Sequence, residues 1–97
     1  MKAVFIAYNQ ALTEAVNSIL DRQNVRGFTK WADAQGRGSD TGEPHFGTHT
    51  WPAMNSAILA IADDDIIEPL LANLKKLDKK AEQQGLRAFV WNIEEMI

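Results

Sequence analysis

Three short segments of this chain, KAVFIAY (2–8), AMNSAILAIA (53–62) and LRAFVWNI (86–93), are apolar at adjacent as well as alternate positions. A strand with one wet face carries polar side chains at every second residue, so segments of this kind belong to a sheet covered on both sides. A fourth segment, VRGFTKWADA (25–34), alternates, carries Phe28 and Trp31, and reads as another strand. Two helices are available to cover the sheet. In NQALTEAVNSILDRQN the residues Leu12, Val16, Ile19 and Leu20 recur at helical spacing, which predicts a helix over 10–23 with Asn9 as its N-cap and Asn24 or Gly27 as its end. In DDDIIEPLLANLKKLDKKAEQQG (63–85), Ile66, Ile67, Leu70, Leu71, Leu74 and Leu77 form a second stripe. Its aspartates complement the helix dipole and Gly85 closes it. If Asp65 caps this helix, Pro69 falls at the fourth position and the first turn loses a backbone bond.

The order β-α-β-β-α-β predicts an α+β, ferredoxin-like sandwich: a four-stranded antiparallel sheet with both helices on one face, in a single domain over 1–97. Two helices cover only one face of such a sheet. The second face is apolar too, so self-association through it is expected.

Composition narrows the partners. A formal net charge of −3 gives no attraction to nucleic acid or to an anionic membrane. No apolar run approaches a membrane span, and the start MKAVFIAYNQ lacks the pattern of a signal peptide. The absence of cysteine excludes disulfides and thiolate metal sites and fits a reducing compartment. A cytoplasmic protein without nucleic-acid partners or membrane insertion is expected.

Between the second and third strands lies QGRGSDTGEPHFGTHTWP (35–52), which contains no Val, Ile, Leu or Met but both histidines and four of the six glycines. Gly36, Arg37 and Gly38 have the composition of an anion cradle, in which backbone amides and a guanidinium converge on an oxyanion; a flexible turn with an exposed arginine is the simpler reading. His45 and His49 could ligate Zn, Cu or Ni with Asp40 or Glu43, contact an anionic ligand, or bond only to the loop backbone. Thr48 and Trp51 stand beside them, and an aromatic flanking a polar loop lines a small-molecule pocket or caps a core edge. Lys75, Lys76, Lys79 and Lys80, interleaved with Asp78 and Glu82, read as the solvated face of the second helix. No nucleophile-elbow pattern surrounds Ser39 or Ser56, so an enzyme is not indicated.

The element order, the long central loop and the apolar open face, with VRGFTK (25–30), GRG (36–38) and DDDIIEPLLANLKKL (63–77), resemble the PII-like superfamily. That group includes the nitrogen-regulatory PII signal proteins and the CutA-type divalent-cation proteins. The resemblance implies a homotrimer with its sheets facing inward and ligands in clefts between subunits. It also implies a mobile central loop that reports ligand state to a protein target. On that basis Gly36, Arg37, Gly38, Thr48 and Trp51 are the expected ligand-binding residues, for a nucleotide or another anion. The alternative is a CutA-like protein holding a divalent metal on His45 and His49.

Overall fold

The computed structural model describes residues 1–97, with Gln83 described in its backbone only. Its strands are β1 (Lys2–Asn9), β2 (Phe28–Ala34), β3 (Asn55–Ala62) and β4 (Arg87–Asn92), and its helices are α1 (Thr13–Arg22) and α2 (Asp64–Lys80). The sheet order is β2-β3-β1-β4 and every pairing is antiparallel, the ferredoxin-like arrangement expected from the element order.

The register divides the strands cleanly into two faces. On β1, Val4, Ile6 and Tyr8 pair with Ala60, Ile58 and Ser56 of β3, and Val4 and Ile6 with Val90 and Ala88 of β4. These residues meet Val16, Ile19 and Leu20 of α1 and Ile67, Leu70 and Leu74 of α2 in one buried cluster, so both helices lie on this face. Ala3, Phe5 and Ala7 point the other way, beside Ala57, Leu59 and Ile61 of β3 and Phe89 and Trp91 of β4. No helix covers that second face. Phe89 and Trp91 are 55% and 48% exposed, and the Trp31 ring, 47% exposed, lies against Phe5 with centroids 6.4 Å apart.

Local chemistry sets the ends of the elements. The Asn9 side chain accepts from the Ala11 amide at 2.9 Å and caps a 3₁₀ turn, Gln10–Leu12, so the helix expected over 10–23 is α-helical only from Thr13. Asn24 ends α1 with φ 61°, its amide donating to Asp21 at 3.0 Å while Val25 donates to Leu20 at 2.9 Å. This is the Schellman pattern, and the buried Val25 and Leu20 supply its apolar contact. Asp63 rather than Asp65 stands at the N-cap position of the second helix, with no capping bond from its side chain, which puts Pro69 six residues inside the helix. Pro69 has no N–H to donate to the Asp65 carbonyl, one turn back. The α-helix stops at Lys80 rather than running to Gly85, and a second 3₁₀ turn, Glu82–Gln84, follows. Strands β2, β3 and β4 start at 28, 55 and 87, later than the apolar runs that mark them.

Among the described residues one buried side-chain polar atom has no partner, the Tyr8 hydroxyl, in a residue of 0% exposure within the core cluster. A buried unsatisfied hydroxyl costs about 1–3 kcal/mol. Tyr8→Phe should therefore stabilise the protein by about 1 kcal/mol, read as a higher urea midpoint at unchanged slope. A lower midpoint would mean that the hydroxyl is bonded in solution.

Candidate functional site

The segment 35–54 folds back on itself as two small hairpins rather than extending into solvent. Gly36 and His45 exchange backbone hydrogen bonds at 3.1 and 2.7 Å, closing the first around 37–44. Phe46 bridges Met54 and the Gly47 amide donates to Ala53 at 2.8 Å, closing the second. At the tip of the second hairpin Thr48 and Trp51 hold each other. The Thr48 amide donates to the Trp51 carbonyl at 2.8 Å, and the Trp51 amide to Thr48 Oγ1 at 3.0 Å. Gln35 Nε2 ties the two hairpins together through the Phe46 carbonyl at 2.8 Å. A loop without aliphatic residues thus keeps its shape by satisfying its own backbone.

The first hairpin rests on the turn before β4, at glycines on both sides. A Cβ on Gly38 would lie 2.9 Å from Gly85 Cα and 3.1 Å from its carbonyl oxygen, both backbone atoms that cannot yield. Gly85 itself has φ 73°, the left-handed region that favours glycine. Between this junction and the end of β1 opens a cleft of about 620 Å³, within the range of small-molecule sites. Asn9, Gly38, Glu43, His45, Gly85 and Arg87 are among its lining residues. Asn9 Nδ2 donates to Gln84 Oε1 at 2.6 Å, bracing the floor. The His45 ring, on a residue only 5% exposed, bonds through Nδ1 to Asn55 Oδ1 at 2.7 Å. A smaller groove of about 290 Å³ opens toward the uncovered sheet face and is lined by Arg37 and Arg87 with Phe5, Phe89 and Asn55. Gly38, Gly85 and Arg87 border both spaces.

The structure thus gathers part of the expected set. Gly36 and Arg37 line the open-face groove, Gly38 both spaces, and His45 the cleft. Thr48, His49 and Trp51 sit in the exposed second hairpin and line neither. Among the described residues, no three of His, Asp and Glu come close enough to share a metal ion. Sequence reasoning missed Asn9, Asn55, Gln84 and Arg87 as lining residues and saw Gly85 only as a helix end. The signal available was the parity of β4, which puts Arg87 on the face of Phe89 and Trp91.

Gly38→Ala should push the first hairpin off the 82–87 turn, at a cost of about 1–3 kcal/mol for an overpacked contact. Limited proteolysis should then cut within 37–44 faster than in the unaltered protein. Equal cutting rates would show that the junction does not hold the loop.

Comparison with known proteins agrees with this architecture. The family model described as nitrogen regulatory protein P-II matches residues 1–97. No curated protein sequence matches the chain significantly. CPII of Thiomonas intermedia K12, a nitrogen regulatory PII-like protein solved with ADP, AMP and bicarbonate, aligns with a TM-score of 0.76 at 23% identity, over 95% of this chain and 84% of that one. CPII solved with ADP, AMP and acetate gives 0.67 at 21% identity, over 95% and 84%. A PII-like protein from Thermus thermophilus gives 0.66 at 18%, over 95% and 85%. At these identities the structural likenesses speak for the fold alone. The family match spans the whole sequence, and the chain belongs to the nitrogen regulatory protein P-II family.

Proposed function

We propose that this protein is a small-ligand sensor, which binds an anionic ligand in the cleft between the first hairpin of its loop and the turn before β4. Its ligand class is an adenine nucleotide together with a small carboxylate-like anion, after the ADP, AMP and bicarbonate that CPII holds. The observation that carries the reading is the Gly38–Gly85 junction beside Arg87. Two glycines bring backbone to the cleft wall without intervening side chains, and the guanidinium offers charge-assisted hydrogen bonds to phosphate or carboxylate. The role is regulatory rather than catalytic, following the family's description. Nitrogen regulation in the cytoplasm is the assignment.

The same reading makes the assembly a homotrimer with the uncovered sheet faces turned inward, its clefts completed by neighbouring copies. Exposed Phe89, Trp91 and Trp31 support it, since a patch of large apolar side chains marks an interaction surface. Ligand contacts made only by one arrangement of the 35–54 segment would shift its population and so present a changed surface to a protein target. A CutA-like metal function has less support. His45 Nδ1 is already engaged by Asn55, and His49 is exposed in the second hairpin.

Two measurements decide the matter. ADP, AMP and bicarbonate should each raise the melting temperature, and Arg87→Ala should weaken nucleotide binding about tenfold or more, the worth of a charge-assisted bond. No shift with any of them removes the ligand reading, and a shift with Zn²⁺ alone that is lost in His45→Ala restores the metal one. In sedimentation equilibrium the protein should run as a trimer and Phe89→Asp as a monomer. A monomeric unaltered protein sinks the assembly.

A further inference from the structure

His45 is the one imidazole in the cleft, and its two ring nitrogens have different surroundings. Nδ1 lies 2.7 Å from Asn55 Oδ1, an oxygen that can only accept, so this contact is a hydrogen bond in the tautomer that carries the ring proton on Nδ1. In the neutral ring the other nitrogen, Nε2, is then a bare acceptor. It has no hydrogen-bond partner among the described residues. Nor is it sealed in the core, because the Tyr8 hydroxyl is the only fully buried polar side-chain atom left without a partner among them. His45 lines the cleft, whereas Asn55 lines the open-face groove. A half-turn of the ring would put Cδ2, a carbon, in place of Nδ1 against Asn55 Oδ1, so this hydrogen bond fixes the orientation of a ring on a residue only 5% exposed.

We infer that His45 is a specificity-determining residue of the cleft: Asn55 fixes its Nδ1–H tautomer, and Nε2 accepts a hydrogen bond from a small anion that carries its own O–H. The inference rests on the ligand reading above and narrows it. Arg87, the cation lining the cleft, attracts any small carboxylate and does not tell one from another. A bare acceptor does discriminate. Hydrogencarbonate presents an O–H to it, whereas acetate, of the same shape and charge, presents a methyl group and leaves Nε2 desolvated and unpaired. A site built to bond a hydroxyl rejects the analogue that lacks it.

The test titrates the full-length protein, saturated with ADP, with sodium bicarbonate and with sodium acetate by calorimetry at one pH. Long-range ¹H–¹⁵N spectra of the histidine rings are recorded in parallel. Bicarbonate should bind at least about tenfold more tightly than acetate. His45→Phe keeps a ring against Gly85 but has no Nε2, and should bring the two anions to equal affinity while ADP binding is retained. In the spectra of the unaltered protein His45 should be the Nδ1–H tautomer. Its Nε2 resonance should move on adding bicarbonate and not on adding acetate. Equal affinities in the unaltered protein, a preference that survives in His45→Phe, or an Nε2–H tautomer each overturn the inference. If ADP binds and the anions do not differ, only this inference fails; if neither ADP nor either anion binds, the ligand reading fails first.

Discussion

β1 lies at the centre of the sheet, hydrogen-bonded on both sides, and its side chains are apolar on both faces. That constraint governs the molecule. One face is covered by α1 and α2, whose buried residues interlock with Val4, Ile6 and Tyr8. The chain has no further helix for the other. Full burial of a large apolar side chain is worth about 1.5–3 kcal/mol, of which the half-exposed Phe89 and Trp91 leave roughly half unrealised. Burial on one side thus accounts for the stability of the fold, and the other side leaves an apolar surface exposed.

The central loop depends on the same sheet in a different way. Its two hairpins lie between the end of β2 and the start of β3, and the first is folded down until Gly38 meets Gly85. The cleft is therefore bounded by pieces of chain distant in sequence: the end of β1, the loop, and the turn that leads into β4. Such a junction is held by backbone proximity and a few hydrogen bonds, not by an apolar core. Local contacts of that kind open at lower free energy than packed strands do.

Much of the framework was legible from local chemistry. Asn9 and Asn24 act as the caps their side chains and left-handed tolerance suggest, and the apolar stripes of both helices face the core. Other features had no local signature. Three consecutive aspartates are equivalent caps on paper; the helix starts after Asp63, whose side chain makes no capping bond, with Ile67 and Leu70 turned into the core. The helix over 63–85 has no clear break at Lys80, because Ala81, Glu82 and Gln84 are themselves good helix formers. The cleft was the least readable element. Arg87 looks like an ordinary strand residue until the α2–β4 turn brings it beside Gly38, and the self-pairing of the loop follows no hydrophobic period. His45 and His49 look alike in the sequence. Only the bridge to Gly36 and the bond to Asn55 set them apart, one buried and one exposed.

The β2–β3 register slips by one residue between Trp31 and Ala34. The Ala32 carbonyl freed by this bulge is taken up by Ser56 Oγ and Gln10 Nε2, each at 2.6 Å. Because strand side chains alternate, an odd residue works as a phase shift that decides which face every later residue meets. Downstream of it, Ala34 and Gln35 lead into the bridge between Gly36 and His45. Changes of length therefore fall unequally along this stretch. A single insertion or deletion within 31–36 would rotate Arg37 and Gly38 away from Gly85 and dismantle the cleft without touching any residue that lines it, whereas a change of length at the exposed tip 48–51 would leave that register alone.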